Sequence, residues 1–209
     1  MGTNPFVLAI GFLAQGFFSA RMLVQWILSE RARKVLSPTI FWLLSLAGAY
    51  LLCIYGWLRN DFSIILGQFI SYYAYLWNLK EKGFLIKLPH AIAVILMLTP
   101  ILAIAWVLRD AASFVSGFLE NKKIPLWLVL YGSIGQIIFT LRFVYQWIYS
   151  YRKGQSILPK GFWILSLTGS LIICSYGCMR TDLVLILGQS FGAVAYIRNL
   201  IIGNHSNNK

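Results

Sequence analysis

The sequence predicts an all-α integral membrane protein of seven transmembrane helices, arranged as three, one and three. Three observations predict it: an apolar composition, seven apolar windows of membrane-spanning length, and an internal repeat. Of 209 residues, 59% are hydrophobic and 11% charged, and the mean hydropathy is +0.72. That composition lies outside the range of ordinary soluble domains. A hydrocarbon layer about 30 Å thick takes roughly 20 apolar residues per helix.

The windows run over Pro5 to Ser29, Pro38 to Leu58, Phe62 to Leu79, Leu88 to Leu108, Pro125 to Ser150, Phe162 to Met179 and Leu183 to Ile202. They divide the chain into a first three-helix repeat (5–80), a linker carrying the fourth helix (81–124), a second repeat (125–202) and a polar tail (203–209). The first window is too long for a removable leader, lacks a basic lead-in, and carries Arg21 and Gln25 inside it. It is therefore expected to be retained.

The net charge of +12 does not point to nucleic acid, because the cations fall in short loops between apolar helices. Arg31, Arg33, Lys34, Lys80, Lys82, Lys87, Arg152, Lys153, Lys160, Arg198 and Lys209 fall on one side; Arg59, Arg109, Lys122, Lys123 and Arg180 fall on the other. The positive-inside rule puts the richer side in the cytoplasm, with the N-terminus outside and the C-terminus inside. Cys53, Cys174 and Cys178 lie within helices and have no ligand-like spacing to His90 or His205. They read as packing residues, and neither a metal nor a cofactor is expected.

Shifting the chain by 121 residues superposes 29 of 70 positions without a gap. Gln15 falls on Gln136, Arg21 on Arg142, Gln25 on Gln146, Pro38 on Pro159, Phe41-Trp42 on Phe162-Trp163, and Ser45 on Ser166. Gly48 falls on Gly169, Arg59 on Arg180, Asp61 on Asp182, Gln68 on Gln189, Tyr75 on Tyr196 and Asn78 on Asn199. Such agreement marks a duplication. A three-helix copy followed directly by another would be inverted, so the fourth helix makes the copies parallel. The expectation is two bundles related by a pseudo-twofold axis along the membrane normal, a plan shared with transporters whose cargo passes between the halves.

Within the first helix, Gly11, Gln15, Phe18, Gln25 and Ser29 recur in both copies at spacings that describe one helical stripe, and Arg21 borders it. An arginine at mid-membrane costs about 2.5–3.5 kcal/mol on insertion scales. Two readings fit the repeated arginine. Either each guanidinium snorkels to the cytoplasmic surface or binds helix-end carbonyls, or Arg21 and Arg142, with Gln25, Gln146, Gln15 and Gln136, form an anion site suited to phosphate. Gln68 and Gln189 fit interhelix bonding or the transport path equally.

Arg59, Asp61, Arg180 and Asp182 occupy the turns between the second and third helices of each copy, as helix caps or as an outer gate. Asn78 and Asn199 read as interhelix or capping groups. Trp26, Trp42, Trp147 and Trp163 read as interfacial anchors, Gly48 and Gly169 as close-contact positions, and Pro38 and Pro159 as openers of the second helices.

The combination Gln-Trp, Pro-x-x-Phe-Trp-x-x-Ser-Leu-x-Gly, Tyr-x-x-x-Arg-x-Asp, Gly-Gln and Asn-Leu resembles the lipid-A-disaccharide synthase N-terminal domain family, here in tandem. More distantly it is similar to the PQ-loop and SWEET transporters. The resemblance covers Gly11 to Leu79 and Gly132 to Leu200. It implies a membrane module of bacterial envelope lipid pathways, whose cargo would be a polyprenyl-phosphate-linked sugar or another phosphorylated lipid. The soluble glycosyltransferase that some relatives carry has no room among these apolar spans, so synthase activity is not expected. The first helix lacks the Pro-Gln hinge of the distant relatives, and Tyr151 stands where the first copy has Glu30.

The leading expectation is thus a flippase or transporter of a phosphate-bearing lipid-linked sugar. The alternatives are a non-catalytic subunit that anchors or feeds a glycosyltransferase, and a SWEET-like carrier of small sugars.

Overall fold

A computed structural model describes residues 5–58, 62–107, 109, 125–181 and 183–207. Among them are seven α-helices and no strand: α1 (Pro5–Ala32), α2 (Thr39–Leu58), α3 (Phe62–Glu81), α4 (His90–Val107), α5 (Leu126–Lys153), α6 (Lys160–Arg180) and α7 (Leu183–Asn207). They answer the seven predicted windows one for one. By length and composition, α1 and α6 can cross a membrane; α2 as far as Tyr55 and α4 as far as Leu102 carry shorter apolar stretches. The expected tail is helical as far as Asn207 and continues α7.

Two compact units are present. One holds Met1–Val24 with Pro38–Asn121, the other Gln25–Ser37 with Lys122–Lys209. The last turns of α1 and the loop after them therefore belong with the second repeat. In the first unit α4 packs on α3 and α2. Pro100 lies inside α4, and the Tyr73 hydroxyl donates to the Met97 carbonyl at 3.0 Å, supplying a donor close to where a proline leaves carbonyls unmatched.

Each unit builds its core from residues that the repeat holds in common. Phe41 stands edge-on to Trp42 (4.8 Å, 88°), which tilts against Tyr75 at 6.1 Å. Phe162, Trp163 and Tyr196 repeat this at 4.9 Å, 86° and 6.1 Å. Trp42 and Trp163 are thus core residues with essentially no exposed surface, not interfacial anchors. Hydropathy alone does not separate an aromatic ring at a lipid interface from one in a helix bundle. Trp147 is exposed and Trp26 half-buried.

Close approach explains the shared glycines. A Cβ on Gly169 would lie 2.8 Å from the backbone nitrogen of Phe139, and one on Gly48 would lie 2.9 Å from the Phe18 ring and 3.2 Å from the Ala14 carbonyl oxygen. As expected, the glycines bring the first and second helices of each repeat together. Of the cysteines, Cys53 is buried, but Cys178 is exposed and is not a packing residue.

Candidate functional site

Each unit carries one arginine in an aromatic and hydroxyl cage. In the first, Arg21 is buried (6% exposed); its Nη1 donates to Ser45 Oγ at 2.9 Å and to Tyr75 Oη at 3.1 Å. The guanidinium lies 4.6 Å from the Phe18 ring centre, 5.5 Å from that of Phe41 and 5.6 Å from that of Tyr75. Ser45 is aimed by its own bond to the Phe41 carbonyl at 2.6 Å.

The second unit repeats the design. Arg142 (5% exposed) sits 3.4 Å from the Phe139 ring centre, 4.7 Å from Phe143 and 5.8 Å from Phe162, with Nη1 donating to Tyr196 Oη at 3.5 Å. Ser166 Oγ again bonds the carbonyl one turn back, that of Phe162, at 2.6 Å.

Desolvated cation–π contacts contribute up to about 2 kcal/mol each, and hydrogen bonds made by charged groups about 1.5–3 kcal/mol. Together they are large enough to offset the insertion cost of one arginine. The snorkelling alternative does not describe these side chains, which turn into their bundles. The partners described above are neutral hydroxyls and rings. The cage residues missed at the sequence level were Phe18, Phe41, Ser45 and Tyr75 with Phe139, Phe143, Phe162 and Tyr196. For most of them the signal was present, since all but Phe143, which stands where the first copy has Met22, are identical between the copies.

The glutamines one turn further along do a different job. Gln25 is fully buried; its Nε2 donates to Ser29 Oγ (2.9 Å), the Leu36 carbonyl (3.2 Å) and Asn199 Oδ1 (2.8 Å), while Asn199 Nδ2 returns a bond to Gln25 Oε1 at 3.1 Å. Ser29 Oγ also accepts the Leu36 N–H at 3.0 Å. In the second copy Gln146 Nε2 reaches Ser150 Oγ and the Ile157 carbonyl, both at 2.9 Å, and Ser150 Oγ accepts the Ile157 N–H at 3.1 Å. These groups staple the loops after α1 and α5 to their helices.

Asn199 bonds between helices, as expected. Gln25→Leu should strip partners from Asn199, Ser29 and the Leu36 carbonyl at once, and lower stability by roughly 3 kcal/mol, read from unfolding in mixed micelles.

Gln15 and Gln136 are exposed and outside the cages. Gln68 and Gln189 are half-buried, and the Gln189 backbone carbonyl accepts Ser170 Oγ at 2.9 Å. Arg180 is exposed at the end of α6. Arg59, Asp61 and Asp182 lie outside the described residues.

Glu30, at the end of α1, pairs with Arg198 of α7, accepting from Nε at 2.8 Å and from a terminal nitrogen. The Arg198 hydrogen bonds hold the Glu30 carboxyl below its usual value of 4.5. A depressed folded-state value means the pair stabilises above the ordinary carboxylate range, and the contribution is lost as pH falls through the lower native value. Glu30→Gln should therefore flatten the acid limb of the stability–pH curve, read by unfolding between neutral and acid pH.

The Lipid A Biosynthesis N-terminal domain model matches twice, over residues 10–80 and 131–201. The chain is 31% identical over 208 residues to the lipid-A-disaccharide synthase of Chlamydia muridarum, covering 93% of this chain and 34% of the relative. Against the lipid-A-disaccharide synthase of Chlamydia trachomatis serovar D it is 30% identical over 205 residues, covering 93% and 34%. For that of Chlamydia felis the figures are 29% over 210 residues, 92% and 32%. The chain thus spans about a third of the length of these relatives. No solved structure matches it. The two matched segments cover most of each repeat and the whole of each cage, and the chain belongs to the Lipid A Biosynthesis N-terminal domain family.

Proposed function

We propose that this protein is a multi-pass bacterial inner-membrane protein that moves a phosphate-bearing, lipid-linked sugar between leaflets, with Arg21 and Arg142 meeting the phosphate. The family ties the chain to lipid A biosynthesis. The single observation that carries the reading is the twice-built cage, in which a guanidinium is held nearly dry by hydroxyls and rings. A planar fork of donors suits a phosphate oxygen pair.

Seven crossings are part of the proposal, with the loops after α1, α3 and α5 on the cytoplasmic side. Large apolar side chains are exposed along the helices, among them Phe12, Ile95, Leu102, Ile137 and Leu187, as a lipid-facing surface would have them. The proposed role is non-catalytic. Protein-containing vesicles should translocate a labelled polyprenyl-phosphate sugar faster than protein-free vesicles. Equal rates would overturn the assignment.

A second reading has its own support. The curated relatives are named as synthases, and this chain aligns with only about a third of each. As a membrane subunit it would anchor or feed a glycosyltransferase. Stoichiometric co-purification of such an enzyme, with no translocation by the isolated chain, would select this reading.

A further inference from the structure

The loop end of the second unit collects cations. Residues 25–37 and 122–209 share this unit, which places the loops after α1 and α5 on one body. Each loop is stapled by its Gln/Ser pair, and Ser37 Oγ lies 3.1 Å from Ser156 Oγ, tying one to the other. Arg31, Arg33, Lys34, Arg152, Lys153 and Lys160 are all exposed there. Among the described residues of this unit Glu30 is the one carboxylate, and it is engaged by Arg198.

The surface of α5 shows what such a cluster would face. Ile134, Ile137 and Leu141 are exposed in its middle, then Tyr145, Trp147, Tyr149 and Tyr151, then Arg152 and Lys153 at its end. Apolar, aromatic and cationic bands in that order follow the acyl, interfacial and headgroup layers of a bilayer.

Arg33 adds a further sign. It closes α1 in the left-handed conformation (φ 51°), and its counterpart in the second copy is Gly154 (φ 61°). The two caps match bond for bond: the N–H of Arg33 and of Lys34 reach the Glu30 and Ser29 carbonyls, as those of Gly154 and Gln155 reach Tyr151 and Ser150. The chain thus keeps a long cation where the backbone favours glycine. Observed strain of this kind motivates a functional reading.

We propose that this end of the unit is a binding platform for anionic phospholipid headgroups, with Arg33, Arg152 and Lys153 as principal phosphate contacts. It rests on the membrane reading above, and is independent of translocation. Full-length protein in neutral detergent, titrated with phosphatidylglycerol or phosphatidylcholine and followed by native mass spectrometry, tests it.

The wild type should prefer phosphatidylglycerol, with a preference that weakens as salt rises. Removing a cation near an anionic surface changes affinity by roughly fivefold. Arg33→Gln and Arg33→Gly should each show that loss, the latter without backbone strain, and the triple variant R33Q/R152Q/K153Q should lose nearly all preference. Arg180→Gln, at the opposite end of α6, should leave it intact.

The proposal is overturned if the triple variant keeps its preference, if Arg180→Gln loses as much, or if inorganic pyrophosphate or polyglutamate displaces the lipid at matched concentration. Release of the wild type from membranes by alkaline carbonate would instead strike at membrane insertion. A chain retained in membranes without lipid preference strikes at the platform alone.

Discussion

Arg21→Lys and Arg142→Lys should each reduce translocation of a labelled polyprenyl-phosphate sugar at least tenfold, and the double variant should fall to the protein-free rate. Both substitutions keep the charge, so the loss would report geometry. The guanidinium is planar, donates from one nitrogen to both Ser45 and Tyr75, and spreads its charge over the faces of Phe18 and Phe41. An ammonium is compact, more strongly hydrated and unable to present a two-pronged face to phosphate.

The lysine variants should also be less stable, but only moderately, because the rings and hydroxyls remain. Size-exclusion behaviour and unfolding in micelles separate this effect from the loss of transport. Full translocation by the double lysine variant, with the protein folded, would eliminate the phosphate role while leaving the cages as structural elements.

Gly169→Ala should destabilise by about 2 kcal/mol or more, and Gly169→Leu should prevent stable folding. The reason is the chemical nature of the neighbour. The added Cβ meets the nitrogen and Cα of Phe139 at 2.8 and 2.9 Å, and backbone atoms in the middle of α5 have no rotamer to retreat into. Phe139 is also the ring beneath Arg142, so separating α5 from α6 would open the second cage. Gly188→Ala is the matched control. Nothing lies within 4 Å of its added methyl, and alanine's higher helix propensity should make it neutral or stabilising by up to about 1 kcal/mol. Unfolding free energies of the two variants, measured in the same micelles, give the comparison. Equal values for both would refute the close-contact account.

Helix number and order were legible in the sequence because a window of apolar residues carries that information locally. The repeat was legible because identities at a fixed offset need no structure. Trp42 and Trp163 were misplaced because a buried ring and an interfacial ring have the same hydropathy, and only the neighbours Phe41 and Tyr75, or Phe162 and Tyr196, distinguish them. Gln25 and Gln146 were legible as important, but the bonds they make to the loops were not. A buried amide four residues from a serine suits a ligand and a loop staple equally, until the Leu36 and Ile157 carbonyls are located. The cage tyrosines stand 54 positions from their arginines, beyond the reach of any local pattern.

The division of α1 between the units bears on how such a protein can be dissected. A fragment starting at residue 122 would leave Asn199 without Gln25 and Arg198 without Glu30. Cutting the chain at the boundary between its copies therefore deprives the later copy of groups that only the earlier one carries, and a workable excision has to bring residues 25–37 along.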